Sequence, residues 1–315
     1  MWLMVRYVFL LCLVCVMLAG GCSTGRCEPE EAVYLYSSFR GNGEDGLHLA
    51  YSTDGYKWTD LGGPFLMPEV GKKSKLMRDP SILQGPDGIF HMVWTTGWFG
   101  ETGFGYAQST DLINWSQQKY IEVMAHEPET QNVWAPELYY NVKDKVFVIC
   151  WASTIKGRYR TPQDSPEKDH RMYCTTTRDF KSFTDTKLFF EHGFGVIDAV
   201  IVERKEDYVL VLKDESRTRS LRVAFSDSYL GPFDNISETF TEEFTEGPSV
   251  LKLGDEWVVY FDMYMKHQYG AVKTRDFKNW TDITGEISMP EGHRHGTAFK
   301  VSRGILEGLK QSGKL

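Results

Sequence analysis

Short apolar or aromatic runs alternate with turn-forming residues along nearly the whole chain after residue 30. Residues 81–83 and 89–95, for example, flank the turn sequence Gly-Pro-Asp-Gly at 85–88. Runs rich in β-branched and aromatic residues, bounded by Gly, Pro and Asp, predict successive β-hairpins. No convincing amphipathic helical period occurs before the last dozen residues. The pattern therefore predicts an all-β fold.

A short motif recurs five times between these hairpins. It consists of a strand, a Ser/Thr pair or a variant of it, an Asp, and an aromatic residue a few positions later. The copies are Asp54 with Trp58, Asp111 with Trp115, Asp179 with Phe183, Asp227 with Phe233 (a looser copy), and Asp276 with Trp280. Repeats of about 50 residues with four strands each are typical of β-propeller blades. We interpret the repeated Asp as a turn cap and the aromatic residue as packing between blades.

The two ends of the repeat array complement each other. Residues 295–301 read as an innermost strand with no partner strands after it, whereas residues 32–39 and 47–52 read as two strands that lack an inner strand. Pairing the two ends in one blade removes the open edges that a linear array would leave. The sequence thus predicts a five-bladed β-propeller over residues 32–315, closed by a composite N- and C-terminal blade. A closed ring has no edge that demands a partner, so we expect a monomer.

The first residues differ from the rest of the chain. Residues 7–20 form an uninterrupted apolar or small run, too short to span a bilayer, after a single positive charge at Arg6. Residues 1–21 are therefore interpreted as a secretory signal, and the small residues directly before Cys22 resemble a bacterial lipoprotein signal. We expect acylation of Cys22, a flexible tether over residues 22–31, and an exported lipoprotein that is periplasmic or on the cell surface. A plain signal peptide and an uncleaved anchor are the alternatives.

The amino-acid composition limits the kinds of molecule that the protein is expected to bind. The formal net charge is −8 and no basic face stands out, which argues against nucleic acid. The 9 Trp, 16 Tyr and 19 Phe either pack sheets or offer flat faces to ligands. Cys150 and Cys174 lie in two neighbouring strand-like runs, where a disulfide and two buried thiols are both open. No cysteine spacing typical of a metal site is present.

Candidate chemistry lies at the starts of the innermost strands, which converge on the propeller axis. These positions read Arg-Asp-Pro at 78–80, Trp-Ala-Pro-Glu at 134–137, Ile-Asp-Ala at 197–199, Glu-Gly-Pro at 246–248 and His-Arg-His-Gly at 293–296. Asp is disfavoured within strands, and a carboxylate near the axis is costly to desolvate unless it is paired or used. Carboxylates that share a pocket suit glycoside hydrolysis, in which one acid protonates the leaving oxygen and one base activates water.

These motifs, in this order and one per blade, together with Arg-His-Gly-Thr at 294–297, resemble glycoside hydrolase family 43. This is the arabinofuranosidase, xylosidase and arabinanase group, and the resemblance covers nearly all of the chain after residue 30. It implies that Asp79 is the general base, that Asp198 tunes the pKa of the acid and orients it, and that Glu246 is the general acid. It also implies inversion at the anomeric carbon by single displacement.

The resemblance carries further expectations. His295 matches the axial His of the family, which implies a possible axial calcium or sodium ion, although His295 could simply fill the channel; no cofactor is expected to be required. Trp98 and Trp134 are predicted to stack on sugars, with packing between blades as the alternative. Glu137 is interpreted as structural. Two departures are Ala199, where the family often has Pro, and Glu246, which lies one place earlier than Asp79 when the repeats are aligned.

The sequence therefore predicts a glycosidase that acts on an oligo- or polysaccharide of the plant type, with arabinofuranosyl or xylosyl linkages expected. A catalytically silent glycan-binding propeller is one alternative. A related propeller galactosidase or galactofuranosidase is another. Exo and endo action both remain open at this point.

Overall fold

Five antiparallel sheets make up the computed structural model, which describes residues 33–159, 169–215 and 218–313. The predicted signal at 1–21, Cys22 and the tether at 22–31 lie outside these residues. The elements in the described part are β1 (Val33–Ser38), β2 (His48–Ser52), β3 (Thr59–Asp60), β4 (Arg78–Gln84), β5 (Phe90–Thr95), β6 (Gly103–Ser109), β7 (Lys119–Glu122), β8 (Trp134–Asn141), β9 (Val146–Thr154), β10 (His170–Thr177), β11 (Lys187–Phe190), β12 (Val196–Glu203), β13 (Tyr208–Asp214), β14 (Ser220–Ser226), β15 (Glu246–Leu253), β16 (Glu256–Met263), β17 (Gln268–Thr274), β18 (Thr281–Asp282), β19 (Ala298–Val301) and α1 (Arg303–Gln311).

The sheets form a ring. Their strand orders are β19-β1-β2-β3, β4-β5-β6-β7, β8-β9-β10-β11, β12-β13-β14 and β15-β16-β17-β18. The innermost strands contact each other in sequence from β4 to β8, β12, β15 and β19, and β1 contacts β4, which closes the ring. The predicted all-β fold with five propeller blades is confirmed.

The closing blade joins the two ends of the described propeller. Strand β19 pairs antiparallel with β1, from Val33 opposite Val301 to Tyr36 opposite Ala298. The predicted inner strand over 295–301 is regular only from Ala298 onward, although the Ser37 N–H still donates to the Thr297 carbonyl at 2.9 Å. This pairing removes two sheet edges that would otherwise be open.

The core lies between blades, which explains why the second strands read as continuous apolar runs. All nine residues of β9 are buried, since its two faces pack against two neighbouring sheets. Trp94 and Trp151 are fully buried in two of the resulting clusters. Helix α1 adds Leu306 and Leu309 to the cluster beside the closing blade. No helix in the described residues is long and apolar enough to cross a membrane.

The repeated Asp motif forms a turn, as predicted. In the first copy the Asp54 carboxylate accepts the backbone N–H groups of Tyr56 and Lys57 at 2.7 and 2.8 Å. The Asp111, Asp179 and Asp276 carboxylates accept the equivalent pairs of N–H groups. These residues therefore stabilise outer-strand connections and lie away from the axis.

The fourth blade departs from the expected four strands, because in the described part of the chain its sheet consists of β12, β13 and β14. After β14 the chain passes through Gly231 and Pro232, and Phe225 forms only an isolated bridge with Asp234. Pro232 has no N–H to donate to a ladder. The looser spacing of the motif in this repeat thus corresponds to an irregular outer edge.

Cys150 and Cys174 are free and buried, although they lie directly opposite each other on β9 and β10. The Cys150 thiol donates to the Ala199 carbonyl at 3.3 Å. Of the two open alternatives, the structure has the pair of buried thiols.

Candidate active site

Four of the five innermost strands contain a β-bulge near their first residue. The register shifts after Arg78, Trp134, Ile197 and Glu246, the first residues of the bulges on β4, β8, β12 and β15. In each strand the next residue has a positive φ, namely Asp79 (52°), Ala135 (44°), Asp198 (53°) and Gly247 (58°). This conformation is unfavourable for residues with a Cβ, and such strain persists mainly at functional sites. A bulge re-aims side chains, here toward the axis.

The bulge positions define two sets of equivalent residues around the axis, and each blade contributes one residue to each set. The outer ring comprises Arg78, Trp134, Ile197, Glu246 and Arg294, with Arg294 placed by its bridge to Phe39. The inner ring comprises Asp79, Ala135, Asp198, Gly247 and His295. The register explains why Glu246 precedes the position of Asp79 by one place, since Glu246 is the structural equivalent of Arg78.

Inner-ring residues from different blades contact each other. His295 Nδ1 lies 3.2 Å from an Asp79 oxygen and 3.9 Å from an Asp198 oxygen. The Gly247 N–H donates to Asp198 at 2.9 Å. A Cβ at Gly247 would lie 2.4 Å from His295 Cγ, so only glycine fits beside this imidazole.

Thr95 fixes the second oxygen of Asp79. Its hydroxyl donates to Asp79 Oδ2 at 2.8 Å and accepts the Ala135 N–H at 2.7 Å. Asp79 is therefore held from two sides by neighbouring strands, and its carboxylate orientation is set before any ligand binds.

Three inner-ring side chains, those of Asp79, Asp198 and His295, have shifted pKa values because they are buried close together. Burial would raise the pKa of Asp79, but the charge and hydrogen bond of His295, with Arg78 and Thr95, lower it to about 2. Burial would lower the pKa of His295, but Asp198 and Asp79 raise it to about 9. Burial raises the pKa of Asp198 to about 6, with the Glu246 charge adding to the effect and His295 opposing it. At neutral pH, Asp79 is an anion and His295 a cation.

Glu246 lies between two cations. One carboxylate oxygen pairs with Lys213 Nζ at 3.0 Å and the other with Arg294 Nη2 at 3.3 Å. Lys213 also pairs with Glu215 at 2.7 Å, and Arg294 pairs with Asp262 at 3.2 Å. The Lys213 side chain is 2% exposed, so this is a buried ion-pair network.

A cavity of about 210 Å³ lies at the axis where these groups meet. Its lining includes all six predicted catalytic and sugar-binding residues: Asp79, Trp98, Trp134, Asp198, Glu246 and His295. A larger open cleft of about 830 Å³ lies at the outer edge of the fourth blade and contains none of them.

The two tryptophans form one side of the axial cavity. Trp98 is 43% exposed, and its Nε1 donates to Asn42 at 2.8 Å. Trp134 Nε1 donates to the Trp98 carbonyl at 2.7 Å, and the two rings meet edge to face with their centroids 5.7 Å apart. Both rings thus reach the cavity, and stacking on sugar remains a prediction for them.

Sequence reasoning missed several cavity residues. Lys213 and Glu215 line the cavity but were not singled out, although a lysine at the end of the apolar run 208–212 is a usable signal. Thr95 carried no signal, since a threonine in a strand is ordinary. Glu137, interpreted as structural, accepts a hydrogen bond from Thr297 at 3.5 Å, and burial raises its pKa to about 7.

Among the described residues, no group of three or more His, Cys, Asp and Glu side chains is arranged to hold a metal ion. The Nδ1 atom of His295 is paired with Asp79. The predicted axial calcium or sodium ion therefore remains a prediction, and no step of the proposed reaction depends on it.

A family model and a curated protein match this sequence. The family model described as "Probable glycosyl hydrolase domain", a model of proteins related to family 43, matches residues 29–307. A curated α-L-arabinofuranosidase of Bifidobacterium longum subsp. longum is 24% identical over 117 residues, which are 34% of this chain and 11% of that protein. The chain therefore spans only about a tenth of that relative.

Solved structures share the fold at low sequence identity. A family 43 β-1,3-galactosidase bound to galactodeoxynojirimycin matches with a TM-score of 0.53 and 14% identity, over 66% of this chain and 75% of that chain. An exo-β-1,3-galactanase from Phanerochaete chrysosporium with β-1,3-galactotriose matches with a TM-score of 0.52 and 12% identity, over 69% and 52%. A thermostable family 43 glycoside hydrolase matches with a TM-score of 0.53 and 15% identity, over 70% and 78%. With the family model matched across nearly the whole propeller, the chain belongs to the family 43-related glycosyl hydrolases.

Proposed function

We propose that this protein is a glycosidase that removes one terminal sugar from a glycan with inversion, using Asp79 as general base and Glu246 as general acid. The observation that carries the proposal is that Asp79, Asp198 and Glu246 line a single cavity of about 210 Å³. Sites that enclose drug-sized ligands measure roughly 300–1,000 Å³, so this cavity suits one sugar unit better than a chain segment. This favours exo action.

The environment of Asp79 suits a general base. Its pKa is lowered to about 2, so it is ionised over the whole range in which the protein could work. Hydrogen bonds from His295 and Thr95 fix its orientation, and the remaining lone pairs can accept a proton from water. The low pKa also makes Asp79 a weak base, so we expect it to orient water as much as to accept its proton.

Asp198 contacts the backbone next to the proposed acid, Glu246. It accepts the N–H of Gly247, the residue directly after Glu246, and so ties the backbone of the acid to the inner ring. Its negative charge also favours the protonated form of a nearby carboxyl group. Both effects fit a residue that tunes and orients Glu246 without touching the scissile bond.

Glu246 must carry a proton to act as the acid. Lys213 and Arg294 pair with its two oxygens, so both oxygens already contact a cation. We infer that the leaving oxygen of the sugar replaces at least one of these contacts before the proton is transferred. In inverting enzymes the acid and base lie roughly 6.5–9.5 Å apart, which leaves room for the attacking water.

The sugar itself has two candidates. The resemblance of the sequence to family 43 implies an arabinofuranosyl or xylosyl unit. The β-1,3-galactosidase and galactanase among the similar structures favour a galactosyl unit instead. We propose that the terminal residue removed has the ring of one of these units.

Aryl glycosides test the proposal. We expect wild-type protein to cleave one of aryl α-L-arabinofuranoside, β-D-xyloside and β-D-galactoside, and Asp79→Asn and Glu246→Gln to lose nearly all of that activity. Asp255→Asn is the matched control, because Asp255 is exposed in the turn between β15 and β16, at the opposite end of β15 from Glu246. Full activity in both site variants would disprove the assigned roles.

Two further measurements separate the alternatives. If no glycoside from a wide panel is cleaved but one glycan binds tightly, the silent glycan-binding propeller is the better description. Proton NMR of the first-formed anomer tests the mechanism, and a retained anomer would rule out single displacement.

A further inference from the structure

Arg78 is a buried cation in the cavity wall, and it pairs with no carboxylate of the described residues. It is only 6% exposed, yet it lines the axial cavity. Arg171 and Arg294, by contrast, each pair with two carboxylates. Among the described residues no carboxylate oxygen lies within 4 Å of the Arg78 guanidinium, and its contacts are the Asn42 carbonyl at 3.3 Å and the Asn42 side-chain oxygen at 3.1 Å. A buried charge without a partner is costly, so the position calls for an explanation.

The surroundings of Arg78 fix one edge of its guanidinium and leave the other edge free. Both contacts to Asn42 are made by Nη1. Nε and Nη2 have no protein acceptor in the described part of the chain. These two atoms form the parallel two-donor edge that matches the two oxygens of a carboxylate.

Aromatic rings hold the guanidinium plane in place. Its carbon lies 4.1 Å from the centroid of Trp98 and 4.5 Å from that of Phe39. Trp98 is itself fixed by its hydrogen bond to Asn42. The free edge of Arg78 is therefore positioned before a ligand arrives, which lowers the entropic cost of binding.

Neighbouring charges leave Arg78 incompletely compensated. Burial lowers its pKa, and the charge of Arg294 adds to this effect, while Asp79, Glu246 and Asp198 oppose it from beyond contact distance. Arg294, which lies 5.4 Å from the same Phe39 ring, is already paired with Glu246 and Asp262. Arg78 thus keeps two N–H donors, those of Nε and Nη2, that a ligand in the cavity can use.

We propose that Arg78 binds a carboxylate on the terminal sugar, so that the substrate class is a glycan ending in a hexuronic acid. This deepens the proposed function and rests on it, because the same cavity holds the sugar to be removed. A hexuronic acid differs from the corresponding hexose only in carrying a carboxylate at carbon 6. The two-donor edge of Arg78 would bind that group bidentately.

Binding of free monosaccharides tests the inference without requiring turnover. Calorimetry compares D-galacturonate with D-galactose, and D-glucuronate with D-glucose, on wild-type protein. We expect each uronate to bind about tenfold or more tightly than its neutral partner, with an affinity that falls as salt is raised. Arg78→Met should abolish this preference, so that each uronate binds no more tightly than its neutral partner. Arg78→Lys, which keeps the charge but not the fork, should retain part of it.

Controls make each outcome decisive. Arg178→Met removes an exposed arginine on the third blade and should change nothing. Equal binding of uronates and neutral sugars, or an equal loss of both in Arg78→Met, would overturn the inference and give Arg78 a hydroxyl-binding role. Hydrolysis of aryl β-D-galacturonide and β-D-glucuronide is measured in parallel with that of the neutral aryl glycosides. If none of these substrates is cleaved, the proposed function fails, while the binding comparison still decides the role of Arg78.

Discussion

Replacing Gly247 with alanine should disrupt the centre of the site through a single added methyl group. An ideal Cβ at this position would lie 2.4 Å from His295 Cγ and 2.6 Å from His295 Cδ2, with φ at +58°. Ordinary contacts of a Cβ begin at 3.4 Å, so the imidazole would have to move by about 1 Å. That movement would break the 3.2 Å pair between His295 and Asp79.

Gly254 is the matched control for this change. It has nearly the same φ, +60°, in the turn between β15 and β16, but a Cβ there would meet no atom within 4 Å. Alanine in this conformation costs roughly 1–2 kcal/mol at either site. The clash adds about 1–3 kcal/mol at Gly247 alone. We therefore expect a loss of about 1–2 kcal/mol in the free energy of unfolding for Gly254→Ala and about 2–5 kcal/mol for Gly247→Ala.

Urea denaturation and steady-state kinetics check these values together. Gly254→Ala should keep the activity of the wild type. Gly247→Ala should lose about 100-fold in kcat/KM, because displacements of 1 Å near reacting groups can cost this much. Equal stability of the two variants, together with full activity of Gly247→Ala, would refute the argument that His295 and Gly247 are packed in contact at the axis.

Three other predictions concern pH, thiols and export. Because the pKa of His295 is raised to about 9 from an ordinary 6.5, its stabilising contribution is complete below pH 6.5 and is lost as pH rises through 9. Urea midpoints of the wild type should therefore fall between pH 6.5 and 9, by up to roughly 3 kcal/mol in unfolding free energy, and an unchanged slope in His295→Gln would contradict this. Burial raises the pKa of the Cys174 thiol to about 12 and that of Cys150 well above its usual value. Neither should react with iodoacetamide until the protein unfolds, and rapid labelling of the native protein would show the burial to be wrong. Cys22→Ser should abolish incorporation of labelled palmitate and retention in the membrane fraction when the full chain is expressed in a bacterial host that lipidates exported proteins, whereas membrane retention of the variant would indicate an uncleaved anchor.

Much of the fold could be predicted from the sequence because blades are built from local signals. Hairpin turns, apolar runs and the repeated Asp turn each depend on residues close together in the chain, as in the contacts of Asp54 with the N–H groups two and three residues later. The composite blade followed from the unmatched strands at the two ends. In the sequence, only the wider spacing between Asp227 and Phe233 indicated the irregular edge of the fourth blade.

The sequence predicted which residues line the site, but it did not predict which of them contact each other. Strand-start motifs identified Asp79, Asp198, Glu246 and His295 as residues that meet at the axis. The bulges then decided that Glu246 occupies the same position as Arg78, one place before that of Asp79. A bulge depends on the partner strand as much as on its own sequence, so a single strand does not reveal it.

By itself, then, the sequence determined the blade count, the closing of the ring and the carboxylates that face the axis, since periodicity and turn chemistry act over a few residues. Only the tertiary structure decided that Lys213 and Arg294 pair with Glu246, from 33 and 48 residues away, and that Arg78 is left without a carboxylate. Such contacts join different blades. They exist because ring closure brings distant strands to one axis, and the electrostatic balance there depends on distances of a few ångströms that no local pattern encodes.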